Sequence, residues 1–153
     1  MAASQSTYTV QPPSAPRMDP RIIPFFESFY ATSDDPSEAA HNAYVEHLTA
    51  TATLIMGSRR ADGSAQILAL RKGLWAANGA VVSRKHSVGQ VYPFGADSLD
   101  VVLYGVVDYG LRNGKTGVRV DWAARAVFDE DETDKKKLRM KFYQEKFDML
   151  LSN

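Results

Sequence analysis

The chain has no cysteine among its 153 residues. That excludes disulfides, a thiol nucleophile and any thiolate metal site. It also has no excess of either charge, with 18 Lys plus Arg against 18 Asp plus Glu. A balanced chain offers no electrostatic footprint for nucleic acid or for an anionic membrane. No apolar run approaches the roughly 18 residues of a membrane helix, and the N-terminus lacks the apolar core of a secretory signal. Histidines are few: His41, His47 and His86. None follows another at metal-ligand spacing, so no metal site is expected. What remains is an ordinary cytoplasmic chain, 44% apolar and 24% charged, long enough to bury a real core.

Residues 1–19 are Ser, Pro, Gln and Thr and read as a flexible tail; residues 20–153 read as one domain. "PRIIPFFESFYATSDD" predicts a helix whose stripe is Ile22, Phe26, Phe29 and Tyr30, with Pro20 and Pro24 tolerable only near its start. "DDPSEAAHNAYVEHL" predicts a second helix capped by Asp35, with Ala40, Tyr44 and Leu48 inward. "ATLIMGSRR" reads as a short strand and "ADG" as a turn. "SAQILALRKGLW" reads as a third helix capped by Ser64, with Ile67, Leu70, Leu74 and Trp75 inward.

After residue 80 the period changes to two, and four long strands follow. Asn113-Gly114 between the second and third predicts a two-residue type I′ hairpin. Its register pairs positions that sum to 227: Asp108 faces Arg119, Val106 faces Asp121, and Gly105 faces Trp122. One face, with Val107, Val120, Trp122, Leu103 and Ala124, is then continuously apolar and belongs under the helices. The other carries Arg119, Asp121 and Arg125 beside Val102, Tyr104 and Val106. A half-apolar outer face suits a subunit contact better than bare water, so a homodimer through it is expected.

Three helices followed by a long, curved antiparallel sheet, with pieces such as "FFESFYATSDD", "ATLIMG", "LYGVVDYGLRNGK" and "VDWAARAVF", resemble the nuclear-transport-factor-2-like superfamily. This superfamily includes SnoaL-like polyketide cyclases, ketosteroid isomerase and scytalone dehydratase. The resemblance implies an α+β fold: a cone-shaped barrel of three N-terminal helices on a curved, mainly antiparallel sheet, with a pocket at its wide end. It also implies chemistry without a cofactor. In scytalone dehydratases a pocket histidine lies on the strand that here holds His86, and a pocket tyrosine where Tyr30 falls. The aspartate that would follow that tyrosine is Ala31 here. Where ketosteroid isomerases carry an aspartate base, this chain has Thr49, Thr51 and Thr53. SnoaL-like cyclases have an aspartate on the strand reading "DWAARA"; the hairpin register puts Ala124 there, and a one-residue slip brings Asp121 or Arg125 close.

His86 is the residue whose proton moves near neutral pH, and an apolar pocket would hold it neutral, as a base. The candidate catalytic set is therefore His86, Tyr30 and Asp121. Tyr44, Met56, Trp75, Tyr109, Trp122 and Tyr143 form the candidate substrate pocket, suited to a hydrophobic small molecule. Two functions follow from the resemblance. One is a cofactor-independent isomerase, cyclase, dehydratase or epoxide-opening hydrolase acting on a polyketide- or terpenoid-like substrate of secondary metabolism. The other is a non-catalytic ligand carrier or dimeric scaffold of the same fold.

Overall fold

The computed structural model describes residues 18–95 and 97–147, so the tail read over residues 1–19 lies almost wholly outside the described residues. Met18 and Asp19 already belong to the body. Met18 packs against the core, and Asp19 accepts a 2.7 Å hydrogen bond from Arg21. The elements run α1 (Ile22–Asp34), α2 (Glu38–Glu46), β1 (Leu48–Met56), β2 (Arg59–Asp62), α3 (Gly63–Leu74), β3 (Val81–Phe94), β4 (Asp100–Leu111), β5 (Val118–Glu130) and β6 (Leu138–Phe147). Three helices on a six-stranded sheet give the α+β class expected from the sequence. Among the described residues no helix is long and apolar enough to cross a membrane.

The sheet order is β2-β1-β6-β5-β4-β3. Every pairing is antiparallel except that of β1 with β6, which is parallel and sets Leu54 beside Tyr143. The β4–β5 register is the one the hairpin predicts, with Asp108 opposite Arg119, Val106 opposite Asp121 and Gly105 opposite Trp122. The inner face buries Val120, Trp122, Ala124, Ala126 and Phe128, and α1 lays Ile22, Phe26, Phe29 and Tyr30 onto it.

Several local expectations are corrected. The tip of the β4–β5 hairpin is not a two-residue turn. Gly114 N–H donates to Leu111 O and Leu111 N–H to Lys115 O, and left-handed φ falls on Gly114 (89°) and Gly117 (65°) but not on Asn113. That is a three-residue loop closed by a left-handed glycine, and Gly117 restores the predicted register below it. Ser37, not Asp35, caps α2: its hydroxyl accepts from Ala40 N–H at 3.2 Å, while Asp35 accepts from Ser37 N–H at 2.8 Å. The single short strand is a hairpin, β1 and β2, turning at Gly57 with φ 62°. Asp62 and Gly63, read as a turn, end β2 and begin α3, so Ser64 lies inside that helix rather than capping it.

Gly105 is the most closely approached of the described glycines. A Cβ there would meet Ser87 O at 2.0 Å and the Trp122 ring at 2.9 Å. Just beyond, β3 carries a bulge between Val88 and Gln90. A bulge bends its strand and increases local twist, and beyond it β3 stays paired with β4 as far as Phe94.

Candidate active site

On α1, Phe26, Tyr30 and Asp34 are spaced four apart and share one face of the helix, which looks toward β3. Asp34 is the last residue of α1, and no basic residue occupies that last turn. A carboxylate at the negative end of a helix dipole is unfavourable by itself. Two arginines from other elements offset it. Arg71 of α3 is fully buried and donates to Ser33 O (2.5 Å), to Thr32 O (3.1 Å) and to Asp35 O. Arg84 of β3 donates to the same Ser33 O at 2.8 Å and lies 3.8 Å from Asp34. Arg71 also donates from Nε to His41 Nδ1 at 3.2 Å, and its guanidinium lies 5.1 Å from the Tyr44 ring centre. Burial, with Arg84 nearby, pushes the Arg71 pKa down to about 10, so it keeps its charge at neutral pH.

His86 stands two residues after Arg84 on β3, so both side chains take the inner face. Its side chain is 4% exposed. Asp34 holds it twice: Oδ2 accepts from the His86 backbone N–H at 2.7 Å, and Oδ1 lies 2.6 Å from Nδ1. On the far side, Nε2 lies 3.4 Å from Oε1 of Glu145, a buried residue of β6. The imidazole stacks on Tyr30 at 4.9 Å and meets the Trp122 ring edge-on at 5.6 Å. Burial opposes charge on this ring, but the hydrogen bond to Asp34 and the Glu145 carboxylate outweigh it, and its pKa lies above the ordinary 6.5. That reverses the sequence expectation of a neutral imidazole in an apolar pocket, because two carboxyl groups share that pocket.

His86, Asp34 and Tyr30 meet at a cleft of about 660 Å³ between α1 and β3. Its walls are mostly apolar: Met18, Ile23 and Phe26 on one side, Val88 and Val91 on the other. Glu27 and Gln90 also line it, and β3 closes it at Lys85, whose side chain turns to the other face of the strand. Ile23 and Val88 remain 44% and 40% exposed, apolar surface that a ligand would cover.

Of the other candidate residues, Tyr30 contributes its ring to the cleft while its hydroxyl pairs with that of Tyr143 at 2.9 Å. Burial holds both phenols well above the usual range, so they stay protonated. Asp121 is exposed on the outer sheet face, opposite Val106, and does not join the site. Tyr44, Trp122 and Tyr143 are buried, and Met56, Trp75 and Tyr109 half-buried; they fill the cone behind His86 rather than line the cleft. Asp34, Glu145, Arg71 and Arg84 were missed by the sequence reading. Asp34 had a signal, since it lies one turn beyond Tyr30.

No family profile matches the chain, and no curated protein matches it. Solved structures do. ActVI-ORFA from Streptomyces coelicolor shares 13% identity at a TM-score of 0.66, covering 85% of this chain and 97% of that one. Nuclear transport factor 2 from Cryptosporidium parvum shares 11% at 0.65, over 90% and 100%. A type 2 hexachlorocyclohexane dehydrochlorinase, LinA, shares 10% at 0.65, over 84% and 83%. The fold is the nuclear-transport-factor-2-like, SnoaL-like α+β cone. Structures of this shape include small-molecule enzymes.

Proposed function

We propose that the protein is a cofactor-independent enzyme that moves a proton on an apolar, polyketide- or terpenoid-like small molecule held in the α1–β3 cleft. His86 is its acid–base residue and Asp34 the group that orients it. The observation that carries this reading is the 2.6 Å contact between Asp34 and His86 Nδ1 at a mostly apolar cleft. A carboxylate on Nδ1 fixes the ring and stabilises its charged form, as proton-transfer chemistry requires. The volume falls within the ~300–1,000 Å³ of ordinary ligand pockets. The likeness in fold to a dehydrochlorinase supports the same class of chemistry.

A second copy of the chain covers the outer sheet face. Tyr92, Phe94, Val102 and Tyr104 are each nearly half exposed there, with the Tyr92 and Tyr104 rings 6.2 Å apart. Arg125–Asp100 and Arg119–Asp108 pairs flank this apolar patch.

The test of the catalytic reading starts with a ligand identified by native mass spectrometry of the purified protein. His86→Ala should lower turnover of that compound by about 10²-fold or more. Binding of an apolar naphthalene fluorophore should change little, because Ile23, Phe26 and Val91 supply the contact. Full turnover in His86→Ala would end the catalytic reading and leave a ligand carrier.

A further inference from the structure

We propose that Glu145 is a positioning residue which, together with Asp34, holds His86 doubly protonated in the resting protein. This rests on the acid–base reading of the cleft and adds the resting charge of its histidine.

The geometry makes the argument. A dyad that acts as a base keeps its second ring nitrogen free with a lone pair toward the substrate. Here neither nitrogen is free. Asp34 Oδ1 lies 2.6 Å from Nδ1 and Glu145 Oε1 lies 3.4 Å from Nε2. A neutral ring would set one lone pair against a carboxylate oxygen, whereas an imidazolium donates to Asp34 and forms an ion pair with Glu145. Glu145 has little alternative. Its side chain is 6% exposed, it points inward from β6, and its strand neighbours across the sheet are Ala124 and Met56, which offer no side-chain donor. A buried carboxylate with a single cationic partner holds that partner's proton firmly.

The other groups around the ring do not reverse this. From α1 come Asp34 and the protonated Tyr30; from β6 come Glu145 and the protonated Tyr143; from β4 comes Tyr109, whose phenol burial also holds high. β5 offers only the Trp122 ring. On β3 itself Arg84 opposes a charge on His86, but its guanidinium is turned to Ser33 O and lies over the Trp75 ring at 4.6 Å. Lys85 points to the opposite face of the strand and is exposed.

The test needs no substrate. Long-range ¹H–¹⁵N spectra of the full chain report the protonation of each imidazole nitrogen, with His86 assigned from its loss in His86→Gln. In the wild type both His86 nitrogens should be protonated near neutral pH, with a midpoint above the ordinary ~6.5. Glu145→Gln, which keeps the shape and removes the charge, should lower that midpoint by about 1 unit or more. Glu145→Asp, which keeps the charge at a longer reach, should recover part of the shift. His41 and His47 serve as internal references, since burial sets both below 6.5 and neither touches Glu145. A neutral wild-type ring near neutral pH overturns the proposal even if the variants fail to fold. A Glu145→Gln midpoint unchanged within about 0.3 unit overturns it as well. Either result leaves the catalytic reading standing, because that depends on turnover by His86→Ala.

Discussion

Replacing Arg71 by Met tests whether the end of α1 is held by that guanidinium. Methionine has a similar reach and no donors. The wild-type side chain serves four acceptors: Ser33 O, Thr32 O, Asp35 O and His41 Nδ1. Two of these keep other partners in the variant. Ser33 O retains Arg84, and Thr32 O retains Asp35 N–H at 3.2 Å. Asp35 O and His41 Nδ1 lose the Arg71 bond; Asp35 is exposed and its carbonyl can take water, but His41 is buried, and a buried polar group left without a partner costs about 1–3 kcal/mol. Relief from desolvating a buried cation offsets part of that loss, and lost packing of the side chain adds to it. The net expectation is a destabilisation of about 1–3 kcal/mol. For a chain of this size that is a fall of roughly 3–9 °C in melting temperature. Urea unfolding with linear extrapolation measures it. Arg71→Lys should fall between, since one ammonium cannot reach acceptors spread along the turn. A loss under about 1 kcal/mol in Arg71→Met would show that water or Arg84 does the same work. The clamp on the final turn of α1 would then have to be withdrawn as the reason Asp34 meets His86.

Gly105→Ala should cost about 3 kcal/mol or more, because its Cβ would lie 2.0 Å from a backbone carbonyl. Gly110→Ala should cost clearly less, since the nearest atom, at 2.3 Å, is the rotatable Ser83 hydroxyl; equal costs in denaturant titration would contradict this. Tyr104→Lys puts a charge into the outer apolar patch and should turn a dimer into a monomer in sedimentation velocity without changing the circular dichroism. A wild type that sediments as a monomer, or a variant that stays paired, removes the second copy from that face.

Much of the sheet was legible because register is a local property. One hairpin with strict alternation fixed which residues of β4 and β5 share a face, and an error in the turn type left that register intact. The helix stripe of α1 was equally readable, and the His86 and Tyr30 rings, named together by resemblance, stack on one another. Asp34 does not stand at the motif position, which holds Ala31; only the helical period sets residue 34 over residue 30. Arg71 lies one turn after the buried Ile67, on the inward stripe of α3, and nothing local in the sequence marks its guanidinium as buried. Glu145 was hidden by a change of phase in β6. Leu138 and Met140 are buried, then Tyr143 and Glu145, so strict alternation groups Glu145 with the exposed Lys141. The parallel pairing of β1 with β6 leaves no local trace at all.

That pairing decides when the site can exist. β6 is inserted between β1 and β5, and its hydrogen bonds to β1 are the ladder that joins the β1–β2 hairpin to the rest of the sheet. Contacts so distant in sequence, such as the Tyr30–Tyr143 bond spanning 113 positions, form only after a large entropy of loop closure has been overcome. The β3–β5 meander can zip from its own turns, but Glu145 reaches His86 only once β6 has closed the gap. The Glu145–His86 contact therefore reports on completed folding. A chain with its meander formed and β6 unseated would keep most of its strands and have no second carboxylate at its histidine.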